Sequence, residues 1–247
     1  MLPNDDHRRA MERAHVKAWP ATTTALVQGW LWRCSGGGSQ RANSVSTVDF
    51  DGGDPDAALD AIEARYWTQG LPPRVQTFDL TLPADLPDRL SARGYRETEA
   101  TLTLFKRPEP VAEPADVERS ESPTEDWLSV YLSAITENRR RVNVGILARA
   151  PGPRAFFTVR RDGVAISSAL CVTGFGCAVV ECVATAAAAR RQGGAERAMR
   201  ALESWARGQG VDWIGLQVVA TNTAARALYE RLGYVAGAKN RFWVREG

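Results

Sequence analysis

Histidine is almost absent from this chain, which has two in 247 residues, His7 and His15, both near its start. That argues against a His-rich metal site, and no metal is expected. His15 is expected on the surface of a polar helix over residues 1–18 that Trp19-Pro20 closes. Cysteine is scarce as well. Cys34, Cys171, Cys177 and Cys182 lack C-x-x-C spacing, and three stand in apolar strand-like runs, so buried free thiols are expected rather than disulfides or zinc ligands. Nor is there an excess of one charge. The 31 basic and 29 acidic residues leave +2, which is no basis for a nucleic-acid partner. No apolar run approaches the ~20 residues of a membrane span, and no signal-peptide core is visible. A soluble, cytoplasmic protein without a membrane partner is the expectation.

What is present is ordinary globular composition, 44% hydrophobic and 24% charged, in a length that holds one large domain or two small ones. The most informative stretch is Cys182 to Leu202. It reads as the end of an apolar strand, a turn carrying Arg190, Arg191, Gln192, Gly193 and Gly194, and the start of an amphipathic helix. Ala195, Ala198, Met199, Leu202, Trp205 and Ala206 fall on one face, and Gly208 and Gly210 end the helix. The first N–H groups of a helix have no intrahelical partner and carry partial positive charge, so such a turn suits an anion such as phosphate. A Gly-Gly turn alone is more often a tight connection, and the neighbouring residues must decide.

In chain order, Gly29–Ser35 and Arg41–Val48 read as strands of a hairpin joined by Gly36 to Ser39, and Asp56–Gln69 as a helix. Arg74–Leu82 reads as a strand, Asp85–Ala92 as a short helix, and Tyr95–Lys106 as a closing strand pair. Residues 107–126 hold four prolines and seven acidic residues and read as a linker or an edge strand. Beyond it come a helix over Trp127–Thr136, an irregular or helical Asn138–Leu147, and a meander of Ala155–Arg161, Val164–Thr173 and Ala178–Thr185. Trp213–Ala220 is expected as a strand, Asn222–Arg231 as a helix and Arg241–Val244 as the last strand. Leu90 to Tyr95 echoes Tyr229 to Tyr234, a helix end followed by Gly-Tyr, which suggests related halves.

These residues carry a resemblance. Arg190-Arg191-Gln192-Gly193-Gly194-Ala195 resembles the Arg/Gln-x-x-Gly-x-Gly/Ala signature of the GNAT superfamily of N-acetyltransferases. Val183-Ala184-Thr185 through Arg190 resembles its lead-in, with Ala187 in place of the usual proline. Asn222, Ala225, Leu228, Tyr229, Glu230, Leu232, Gly233 and Tyr234 match its second signature. The resemblance covers residues 115 to 245, and the first half looks like a degenerate, partial copy. It implies an α/β (α+β) GNAT fold, a mixed, mostly antiparallel sheet flanked by helices, in tandem: a degenerate unit over 1–107, a linker over 108–126 and a catalytic unit over 127–247. It further implies acetyl-CoA as cosubstrate. Val183, Ala184 and Thr185 would lie along the pantetheine where two strands splay, Arg190 to Ala195 at the pyrophosphate, and Asn222 on the pantetheine arm while capping its helix.

For acetyl transfer to an amine, Tyr229 is the candidate acid toward the coenzyme sulfur; the alternative is a core-facing tyrosine. Glu181, alone in an apolar run, is a candidate general base through a water or a binder of the substrate ammonium; equally, it turns outward to solvent. Val183 is expected to offer an oxyanion N–H. Arg139 to Arg141, Arg41, Asn43, Asn240, Arg241 and Trp243 are candidate walls of an acceptor site. The leading reading is an N-acetyltransferase acting on a small-molecule amine, with a homodimer permitted by an exposed strand edge. The alternatives are a protein N-terminal or lysine acetyltransferase, which wants an open groove, and a CoA-binding regulatory protein. A Rossmann site is rejected because G-x-G-x-x-G is absent.

Overall fold

The structure, a computed structural model, describes residues 2–247. The first half supplies β1 (Thr23–Val27), β2 (Trp30–Cys34), β3 (Val45–Ser46), β4 (Arg74–Phe78) and β5 (Arg96–Lys106), with α1 (Asp5–Ala18), α2 (Pro55–Thr68) and α3 (Leu86–Ala92). The second supplies β6 (Val117–Ser120), β7 (Arg154–Arg161), β8 (Val164–Gly174), β9 (Cys177–Thr185), β10 (Trp213–Val219) and β11 (Val235–Val244). Its helices are α4 (Glu125–Ser133), α5 (Glu137–Arg149), α6 (Gly194–Gly208) and α7 (Thr223–Arg231). The strands form a single 11-stranded sheet in the order β1-β2-β3-β4-β11-β5-β10-β9-β8-β7-β6. Only β3–β4 and β9–β10 are parallel, so the sheet is mixed and mostly antiparallel, as expected.

The two halves repeat one path. β3–α2–β4 and β9–α6–β10 are parallel crossovers, and each continues through a short helix and a Gly-Tyr into a long strand. Those long strands are exchanged: β11 lies beside β4, β5 beside β10, and β5 and β11 pair with each other. The expected boundary at 108–126 therefore does not divide the sheet, because β5 completes the ladder of the second half. The alternation of β5 explains its place: Leu104 joins the core under α6, while Phe105 joins the core under α1. Burying each such side chain is worth roughly 1.5–3 kcal/mol. Helix α1 likewise packs chiefly on β8, β9 and β10 of the second half.

Three local expectations are corrected. The hairpin partner of β2 is β1, through Gln28-Gly29 at φ 49° and 87°; β2 meets β3 only at Leu31 and Ser46. The Gly36 to Ser39 loop is stitched instead by Asn43, whose side chain accepts from the Ser35 and Gly37 amides and donates to the Gly37 and Ser39 carbonyls. Tyr95–Lys106 holds one long strand, not a pair, and β11 starts six residues before the expected Arg241. In the proline-rich 108–126 segment, read as a linker or an edge strand, β6 is an edge strand on β7.

Candidate active site

β9 and β10 pair only from Cys177–Val180 against Trp213–Leu216, and both strands run on past that point without pairing. The gap opens where β9 carries an irregularity. Leu170 of β8 faces Glu181 and Ser168 faces Ala184, so Cys182 and Val183 have no register partner on either side, and Cys182 adopts φ 55°. The bulge turns Glu181 and Cys182 to the same face, toward α1 and α4, and Val183 to the α6 face.

At the far end of β9 the Arg190 to Ala195 turn leads into α6 with the helix's first backbone amides open. Helix α6 begins at Gly193, whose φ of 78° suits glycine, and has no side-chain cap. A Cβ on Gly194 would lie 3.1 Å from the Ser167 Cβ, so the second glycine permits the helix to approach β8. The amides of residues 191–196 have no hydrogen-bond acceptor among the described residues. Thr185, Arg190, Arg191, Ala195, Leu228 and Arg231 border the adjoining cleft of about 480 Å³. The Gln192 side chain and carbonyl are held by Arg161, leaving only its N–H. The Ala184 carbonyl is taken by the Ser167 hydroxyl at 2.6 Å, and the Thr185 hydroxyl stands 2.8 Å from that of Ser167. Asn222 caps α7, its Oδ1 accepting from the Ala225 N–H at 3.2 Å.

Tyr229 is buried in the α6-side core, its ring edge-on to Tyr234 at 6.0 Å. Burial, with the Glu181 charge nearby, pushes its hydroxyl up to about 12. Glu181 does not turn to solvent. Its two oxygens accept from the Arg41 Nη1 and Nη2, each at 2.6 Å, and the His15 Nδ1 stands 3.7 Å away. Burial alone would raise this carboxyl, but Arg41 and then His15 outweigh it and hold it down to about 2. A carboxylate so held is a poor proton acceptor, which counts against its expected role as general base. His15, expected on the surface, is 3% exposed with neither ring nitrogen hydrogen-bonded. Met11, Ala14 and Ala18 share its buried face, a helical spacing visible in the sequence.

On the α1 side of the sheet a second cleft, about 390 Å³, is bordered by Trp19, Arg41, Thr101, Arg139, Gln217 and Phe242. Of the candidate walls, Arg41 and Arg139 are there. Asn43 organises its own loop, Arg241 pairs with Asp79, and the Trp243 Nε1 donates to Thr77 in the first-half core. Asn240 lies in a buried network, donating to the Glu12 Oε1 at 2.9 Å and to the Thr103 Oγ1 at 2.8 Å, while Gln217 donates to the Glu12 Oε2. A larger cleft, about 880 Å³, lies by Trp205 and Gln209 at the opposite end of α6. Among the described residues no His/Cys/Asp/Glu cluster suits a metal, and no helix is long and apolar enough to cross a membrane.

Known proteins resemble this chain in sequence and in fold. The chain is 25% identical over 250 residues to the uncharacterized N-acetyltransferase YobR of Bacillus subtilis (strain 168), covering 97% of this chain and 99% of that protein. Its fold matches a GCN5-related N-acetyltransferase from Kribbella flavida with a TM-score of 0.74 at 18% identity, over 97% of this chain and 95% of the other. A tandem GNAT protein from the clavulanic acid biosynthesis pathway matches over 100% and 97% of the two chains, with a TM-score of 0.64 at 14% identity. The family described as "Probable histone acetyltransferase Rv0428c C-terminal" matches residues 7–243. With one GNAT signature leading into α6 after β9, the other on α7 after β10, and a family match along nearly its whole length, the chain belongs to that acetyltransferase family, within the GNAT N-acetyltransferases.

Proposed function

We propose that the chain transfers an acetyl group from acetyl-CoA to the primary amine of a small molecule, by direct attack in a ternary complex. The observation that carries this is the row of unclaimed amides at residues 191–196, opening on a cleft beside the splayed strands. The residues present fit the coenzyme. Those amides, with Arg190 and Arg191, would hold the pyrophosphate. Val183 and Thr185 on the edge of β9 would meet the pantetheine, together with the Asn222 region. Acetyl-CoA supplies an acyl group activated as a thioester. In the overall reaction one N–C bond forms and one S–C bond breaks, while the amine loses a proton and the departing sulfur gains one.

The chain's residues divide these tasks. With its hydroxyl pushed up to about 12, Tyr229 keeps its proton at neutral pH and is the donor toward the sulfur. The Val183 amide, outside the register of both neighbouring strands, meets charge developing on the acyl oxygen. Glu181 is assigned to holding Arg41 in the wall of the acceptor cleft. A second reading, acetylation of a protein, draws on the description of the family as a probable histone acetyltransferase. The small-molecule reading is favoured because first-half residues, Trp19 and Gly38 to Arg41, wall the cleft.

Thermal unfolding with acetyl-CoA, CoA and NADH tests the coenzyme assignment, since only a ligand of the native state raises Tm. Shifts with the first two and none with NADH are expected; no shift with acetyl-CoA would overturn it. Thiol release with small amines set against histone-tail peptides then separates the two acceptor readings. Turnover of the peptides alone would favour the protein substrate.

A further inference from the structure

The geometry points to an acceptor that carries a carboxylate as well as its reacting amine, an amino acid or a close analogue, held in the α1-side cleft; this rests on the acetyl-transfer reading above. The charged side chains lining that cleft are Arg41, Arg139 and Glu99. Arg41 is fixed in place: its Nη1 and Nη2 donate to Glu181 at 2.6 Å, and its guanidinium lies 4.9 Å from the Trp19 ring centre. Those bonds use two of its five N–H donors, and no other acceptor claims the rest among the described residues. The Arg139 side chain has no ion pair or hydrogen bond among the described residues, although that of the adjacent Arg140 is engaged by Glu137 and the Leu132 carbonyl. On the cleft floor the Thr101 hydroxyl is buried without a partner, on a residue only 7% exposed.

The buried Thr101 hydroxyl left unpaired is costly, and a carboxylate reaching it and the open N–H groups of Arg41 and the exposed Arg139 supplies a partner. Glu181 offsets the Arg41 charge, which leaves Arg139 to disfavour an ammonium beside it and to favour a carboxylate. The same repulsion favours the neutral form of an amine seated there, which is the form that attacks. Glu99 stands outward of Thr101, beyond the last pairing of β5 with β10 at Thr101 and Val219, and opposite Phe242 of β11. It has no ion pair among the described residues. At the outer end of the cleft it opposes a second carboxylate, so a zwitterion fits better than a dianion.

The test compares an amino acid, its methyl ester and a diamine of matched length, in thiol release and in thermal unfolding of the CoA-saturated protein. The amino acid should exceed both others by about 10- to 100-fold in kcat/KM and should raise Tm where they do not. Arg139→Ala should bring acid and ester together without changing the CoA shift, and Arg139→Glu should favour the diamine. Ester or diamine equal to the acid, or full discrimination in Arg139→Ala, overturns the inference. If CoA binds and no amine is acetylated, the acetyl-transfer reading fails; the Tm comparison still decides the inference, a selective shift by the amino acid upholding it and equal shifts overturning it.

Discussion

The two halves follow the same path and differ where chemistry would occur. In the second half α6 starts on Gly193 with no cap, leaving its amides free. In the first, the equivalent helix α2 starts on Asp54, whose carboxylate accepts from the Asp56 and Ala57 amides at 3.0 and 3.1 Å. An anion is thus already built into that helix end. A second substitution matches the first. The Tyr234 N–H donates to the Tyr229 carbonyl as the Tyr95 N–H donates to that of Leu90, so the residue equivalent to Tyr229 is a leucine without a hydroxyl. The second copy keeps open amides and a tyrosine hydroxyl at the two positions where the first has a self-capped helix end and a buried leucine.

The halves are tied by Arg41 and Glu181, and breaking that tie should have the largest effect. Arg41→Ala leaves a buried carboxylate unpaired and should cost about 3–5 kcal/mol in urea unfolding, with Glu181→Gln on that background recovering part of it. The same pair should make the fold acid-sensitive. The Glu181 carboxyl lies near 2 when folded against an ordinary 4.5, so its stabilisation is complete above about 4.5 and lost as pH falls toward 2. That term is about 3 kcal/mol, and a stability profile of Glu181→Gln that still falls as steeply over this range would contradict it.

Next in size is Tyr229→Phe, which makes the second half resemble the first at the proposed acid. Turnover should drop about 100-fold with acetyl-CoA affinity little changed, and an unaltered kcat removes Tyr229 from the mechanism. Gly193→Asp copies the self-capped helix of the first half into the second. Acetyl-CoA binding, measured by calorimetry, should weaken about 30-fold through charge repulsion and the strained φ. The smallest effect belongs to Asp54→Ala. It should lose about 1 kcal/mol of stability as a missing cap while acetyl-CoA binds as before; weakened binding would mean that the first half also takes part in coenzyme capture.

Much of this was legible along the chain because it is local. The Arg190 to Ala195 turn, the helix after it, the Asn222 cap and the Gly-Tyr repeat are written in residues a few positions apart, and backbone sterics with helical periodicity act over that range. The four thiols are likewise free, three of them buried. His15 lay within reach of the same reasoning, since its helical spacing with Met11, Ala14 and Ala18 marks the packed face. Pairings across long stretches of chain were not legible. Arg41 lies 140 residues from Glu181, and no local pattern distinguishes a lone glutamate that will meet an arginine from one that turns to water. The exchange of β5 and β11 leaves no mark either, because each strand would present the same alternating faces beside either neighbour. The amino-acid sequence by itself determined the uncapped glycine turn before α6 and that the first half has none like it. Only the tertiary structure decided what surrounds Glu181, because burial and a partner from the other half, not the residue type, determine whether a carboxylate takes up a proton or holds an arginine in place.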